Sequence, residues 1–202
     1  MIKHLAPAGS SKAVHLLAIC VGLGLAFQVG HFIEHAVQFG VWLGGVYHWV
    51  TVTFCGRDIP YMSPPLTEMV RLTGAWLFPA SDPARQMMLG MELLHLAGNG
   101  IFLATIAGVY YFCPSKWVRY AFYIEGFHMC EHLILCATAY YLGKPMALST
   151  MFGQSAYWLG QEGAVGYRDT WHFLMNLFPM PFVMVGMLKF RPAEPFALPA
   201  AA

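Results

Sequence analysis

Charge is scarce in this chain. Only 10% of its 202 residues are Asp, Glu, Lys or Arg, against about 25% in soluble domains. With 58% hydrophobic residues and a mean hydropathy of +0.54, the composition excludes an ordinary soluble domain and is that of a membrane protein. A basic surplus is missing too. The net charge of +1 leaves no concentrated cationic face for nucleic acid. Cysteine is sparse and forms no motif: Cys20, Cys55, Cys113, Cys130 and Cys136 make no CxxC, which excludes a zinc ribbon and a disulfide framework. A small-residue cleavage site is also lacking. The first apolar run starts near Ala13, after Lys3 and Lys12, and continues for about thirty residues, so it is expected to be a retained span and not a signal peptide.

Long apolar runs, by contrast, are plentiful. Four stretches reach the length of about 20 residues that crosses a hydrocarbon core: 13–45, 86–112, 117–142 and 169–189. The first is overlong and is expected to project beyond the bilayer. A tight basic link, CPSKWVR at 113–119, joins the second and third. The connections at 46–85 and 143–168 are longer, the former with Pro60, Pro64, Pro65, Pro79 and Pro83, the latter rich in Gly and aromatics. If the spans alternate, Lys3, Lys12, Lys116, Arg119, Lys189 and Arg191 share one side. Arg57, Arg71, Arg85, Lys144 and Arg168 are spread over the long loops of the other. The positive-inside rule then predicts an integral protein of a bacterial-type plasma membrane with both termini cytoplasmic.

Within these apolar runs the polar residues repeat. Residues 28–35 read QVGHFIEH and residues 125–132 read EGFHMCEH, so Gln28, His31, Glu34, His35 align with Glu125, His128, Glu131, His132. Chance would produce a given HxxEH on the order of 0.01 times at this chain's His and Glu frequencies. The other two spans share acid-x-x-His-x-x-x-Asn: Glu92, His95, Asn99 in ELLHLAGN and Asp169, His172, Asn176 in DTWHFLMN. The expected fold is therefore an all-α integral membrane protein, one domain over 1–202. It is a four-transmembrane-helix bundle made by internal duplication of a two-helix hairpin. The first repeat covers about 13–112 and the second about 117–190, related by a pseudo-twofold along the membrane normal.

Helical spacing gathers these side chains. At 100° per residue, His31 and His35 stand about 40° apart and Glu34 about 60° to the other side of His31; the second HxxEH matches. Each span thus has one polar stripe, and the stripes are expected to face one another away from lipid. The 1.5 Å rise puts the histidines together in the outer half of a core about 30 Å thick. An i, i+4 His pair can chelate one ion through two imidazoles, with a carboxylate as a further ligand or as the partner of the second ring nitrogen.

The expected metal ligands are His31, Glu34, His35, His95, His128, Glu131, His132 and His172. Gln28, Glu92, Asn99, Glu125, Asp169 and Asn176 are expected to surround them, the asparagines orienting histidines or a bound water. Imidazole with carboxylate suits iron or copper, and zinc also fits. Glu92xxHis95 and Glu125xxHis128 resemble the ExxH ligand pairs of ferritin-like di-iron bundles; since every span here carries His, the resemblance is one of ligand chemistry.

These residues point to a non-haem iron or copper oxidoreductase or redox subunit, with one or two ions. It would take electrons from quinol or a donor protein, alone or among other membrane subunits. Three other readings compete. A b-type haem pairs one His from each of two helices (His31 with His128, or His95 with His172) beside Gly30, Gly98 and Gly126, but leaves the remaining histidines and carboxylates without a role. A proton- or metal-ion-translocating subunit would use the same residues as a relay, and a structural subunit would use them as a hydrogen-bonded polar core. His4, His15 and His48 lack partners at ligand spacing. Met87, Met88 and Met91 read as core filler. Trp42, Tyr47, Trp49, Tyr157 and Trp158 read as an interfacial belt, and Arg168 as the neutraliser of Asp169.

Overall fold

Capping chemistry marks where the long helices begin and end. Asp82 accepts a hydrogen bond from the Arg85 backbone N–H, with Pro83 in the first turn where its missing N–H costs nothing. The Ser115 hydroxyl accepts from Val118 N–H at 3.2 Å. Gly143, at φ 71°, supplies the left-handed residue that closes the helix begun there.

The computed structural model describes residues 11–45, 51–54, 57–60 and 62–189. Helix α1 spans Ser11–Leu43, strands β1 (Thr51–Phe54) and β2 (Arg57–Pro60) form an antiparallel hairpin, and α2 spans Pro64–Leu77. Then come α3 (Pro83–Phe112), α4 (Lys116–Leu142), a single 3₁₀ turn at Leu148–Thr150, α5 (Ser155–Leu177) and α6 (Pro179–Lys189).

The architecture is helical, with three helical stretches long and apolar enough to cross a membrane: Lys12–Leu43, Pro83–Phe112 and the α5–α6 unit Ser155–Lys189. Helix α4 has the length, at 27 residues, but Glu125, His128, Glu131 and His132 in its middle lower its hydropathy.

Two connections expected as loops hold structure. The 46–85 stretch contains the hairpin and α2. The 143–168 stretch turns helical at Ser155, so α5 begins well before the expected 169, with one break at Gly160 (φ 72°, ψ 172°) that only glycine adopts without strain. Its glycines suggested a loop; packing outweighs their low propensity, since Trp42 of α1 rests on Gly166 and Phe173 stacks on Phe39 at 4.8 Å.

Helix α1 packs on α3 and α5, and α4 packs on α3 and α6, while α2 lies mainly against α3. The α2–α3 contact is backbone to backbone: a Cβ at Gly90 would overlap the Val70 carbonyl, and one at Gly74 the Gln86 carbonyl. Met62, Val70 and Leu66 pack there on Met87, Met91 and Leu94. At the opposite end Phe102, Ile106, Val109, Val118, Ala121 and Val183 form the main apolar cluster. Moving from that cluster along the helices, the chain passes an amide and acid layer (Gln28, Asn99, Glu125, Asn176), then six histidines, then Glu92 and Asp169. Nearly all of these side chains are buried.

Candidate metal centre

The i, i+4 spacing brings each histidine pair face to face. His31 and His35 of α1 approach Nε2 to Nε2 at 3.1 Å, and His128 and His132 of α4 do the same at 3.1 Å. A third ring joins each pair: His95 of α3 the first, His172 of α5 the second. In both groups, one ligand atom from each histidine lies within 4.8 Å of the others. Two of the three centroid spacings repeat, and the third is 5.6 Å for His35–His95 against 5.2 Å for His132–His172. His31–His35 and His128–His132 are each 4.7 Å apart, and His31–His95 and His128–His172 each 6.0 Å.

The two groups also touch each other. His35 stacks on His172 at 5.7 Å and His132 on His95 at 5.6 Å, with His95 and His172 5.9 Å apart. Two ligands of a tetrahedral ion with metal–nitrogen bonds of about 2.0–2.1 Å stand about 3.3 Å apart. The 3.1 Å pairs are close to that spacing.

Outer hydrogen bonds set the rings' orientation. His35 Nδ1 faces Gln38 Oε1 at 3.0 Å, and His95 Nδ1 faces the Met91 carbonyl at 2.9 Å. A neutral ring donating through Nδ1 presents an unprotonated Nε2, the form a metal requires. Glu125 stands 3.6 Å from His128 Nδ1, beyond hydrogen-bond length. Among the described residues, His31 Nδ1, His132 Nδ1 and His172 Nε2 have no hydrogen-bond partner although they are buried.

Two carboxylates expected as ligands stand outside the histidine groups. Neither Glu34 nor Glu131 belongs to a three-histidine group. Glu131 accepts from Ser149 N–H and from the Trp171 indole N–H, each at 2.6 Å, and Glu34 is half-buried. Arg168 reaches across to Glu92 at 2.6 Å and makes no hydrogen bond to its neighbour Asp169. Asn99 and Asn176 donate to the backbone carbonyls of His95 and His172, at 2.8 and 2.9 Å, and so do not orient the rings directly. Asn176 also accepts from Gln28 at 2.9 Å. Gln38 and Trp171 went unanticipated: Gln38 continues the α1 stripe at i+3 from His35, whereas nothing local marks Trp171.

His15 lies sixteen residues before His31, about 24 Å along the helix, and joins neither group. His4, His48, Tyr47 and Trp49 fall outside the described residues. Tyr157 and Trp158 are exposed, as a belt requires. A cavity of about 510 Å³ reaches His35, His95 and His172 from the α2 end of the molecule.

Fold and site together define a helical protein with membrane-length helices and two adjoining three-histidine groups buried among them. The chain belongs to a family of unknown function, DUF6008, which matches residues 8–191. No curated protein and no solved structure matches the chain.

Proposed function

We propose that this protein is a membrane-embedded redox protein whose six histidines hold a dinuclear non-haem metal centre, one ion in each three-histidine group. The observation that carries the reading is the pair of three-histidine groups, alike in two of three ring spacings and in contact through His35–His172 and His132–His95. Two all-imidazole groups that include neither Glu34 nor Glu131 favour copper, with zinc and iron as the other fits. Two neighbouring copper or iron ions would accept or deliver two electrons in one event, which is the basis for the oxidoreductase assignment. Haem fits less well: six rings whose neighbouring centroids lie 4.7 to 6.0 Å apart leave no slot for a macrocycle.

The same reading makes the chain a four-span bundle built by duplication. Helix α4 is polar by composition, yet Glu125, His128, Glu131 and His132 all point inward. Its outward face is Tyr120, Phe122, Tyr123, Phe127, Leu133 and Ile134, a surface suited to lipid. The matched His31–His35 and His128–His132 approaches and the Asn-to-carbonyl bonds at Asn99 and Asn176 support a pseudo-twofold between α1–α3 and α4–α5. The bilayer would be a bacterial-type plasma membrane with both termini cytoplasmic, and electrons would come from quinol or a donor protein.

Elemental analysis of the detergent-purified chain tests this. Two three-histidine groups predict about two metal atoms per chain, with His31→Ala and His128→Ala each losing about one, and no Soret absorption. A folded, metal-free protein would return the site to a polar relay or structural core, and a strong Soret band would return it to haem.

A further inference from the structure

The cavity beside the histidines has a polar floor and one methionine-rich wall, with Asp82, Arg85 and Lys144 also in its lining. Glu92, Asp169 and His172 line the floor, and each is at least nine-tenths buried. Each also keeps one atom without a hydrogen-bond partner among the described residues: Glu92 Oε2, Asp169 Oδ2 and His172 Nε2. Arg168 occupies the other Glu92 oxygen, so one acceptor is left unpaired in a residue of the cavity floor. Met62, Leu66, Met88 and Met91 line the wall, a soft surface that adapts to an apolar body. Its volume of about 510 Å³ falls in the range that encloses a small organic ligand.

We propose that this cavity binds a neutral, lipid-soluble ligand of the hydroquinone class, its hydroxyl head donating to Glu92 and Asp169 and its apolar remainder lying along the methionine wall. The acceptors call for a donor. Glu92 is already paired with Arg168, so Asp169 is the charge that disfavours an anion at the floor, while Arg85 and Lys144 stand elsewhere in the lining. An ammonium would be repelled by the metal ions next to His172, a step that rests on the metal reading. A hydroxyl meets both conditions, and it brings an oxidisable group to the edge of the histidine cluster.

Equilibrium dialysis on the purified full-length chain, with metal content measured on the same samples, tests the proposal. The probes are decylhydroquinone, its dimethyl ether and decylamine. Decylhydroquinone should saturate one site per chain, with the ether at least about tenfold weaker because it cannot donate, and decylamine should not compete. Ala164→Trp fills the cavity away from the histidines and should abolish binding with metal content unchanged. Met88→Phe, a smaller filling change, should weaken binding if the tryptophan variant fails to fold. Equal binding of the ether, tighter binding of the amine, or full binding in a folded Ala164→Trp protein overturns the proposal. Metal-loaded protein that ignores hydroquinone overturns this site alone, whereas metal-free protein that binds it and rejects the ether upholds the cavity and overturns the metal reading.

Discussion

At the scale of single residues, Glu131 separates ligation from support. Its two oxygens accept from Ser149 N–H and Trp171 Nε1–H, both at 2.6 Å, so it ties α4 to the 3₁₀ turn and to α5, with each oxygen already engaged away from the histidines. Glu131→Gln leaves one acceptor for two donors and removes the charge, which should cost about 1–3 kcal/mol. The expected result is a lower thermal midpoint with metal stoichiometry unchanged; metal loss matching that of His128→Ala would put Glu131 among the ligands. The histidines and Glu131 were legible together because i, i+3 and i, i+4 spacing fixes which residues share a stripe. That spacing cannot say which of them turn toward one point. Glu131 diverges from His128 and His132 because its partners come from 18 and 40 residues away, and the same is true of Arg168, whose partner Glu92 is 76 residues distant. Long-range pairing of this kind leaves no periodic trace.

At the scale of elements, the α2–α3 contact opposes two effects of known sign. On helix propensity alone, Gly90→Ala should stabilise α3 by about 1 kcal/mol. A Cβ there overlaps the Val70 backbone carbonyl, which cannot rotate away as a side chain would, and overpacking of that kind costs about 1–3 kcal/mol. The contact should prevail. Gly90→Ala is therefore expected to lower the thermal midpoint and to speed proteolytic cleavage of the segment carrying α2, read by limited proteolysis; an unchanged or raised midpoint would mean that α2 does not sit on α3. The four long helices were readable from their apolar runs, with ends close to those expected at 13–45, 86–112 and 117–142. Helix α2 and the start of α5 were not, and for one reason. Both lie in Pro- or Gly-rich sequence, where local propensity argues for a loop and the deciding contribution is contact with another helix: α3 beneath α2, and Trp42 and Phe39 of α1 beside α5.

At the scale of the whole molecule, the number of crossings decides whether the two histidine groups belong to equivalent halves. Composition alone admits three crossings, by α1, α3 and the α5–α6 unit. Three crossings put the two ends of the chain on opposite sides of the membrane. Four put them on the same side, because α4 then returns the chain across the bilayer before α5 begins. Physical cost favours four. A non-crossing α4 would lay Phe122, Phe127, Leu133 and Ile134, all exposed on the protein surface, against water, at about 25 cal/mol per Å² of apolar area, while its buried Glu125, His128 and His132 gain nothing. A crossing α4 presents that face to lipid and keeps the polar residues inside, as intramembrane ionisable groups require. Reporter tags fused to each end, probed for protease accessibility in intact and in lysed cells, measure the difference directly. Both tags should be shielded in intact cells and cleaved after lysis, which also fixes the sidedness that Lys12, Lys116, Arg119 and Lys189 favour. One tag cleaved in intact cells and the other protected would leave three crossings, remove the pseudo-twofold, and make the matched spacing of the two histidine groups a coincidence of local helix geometry.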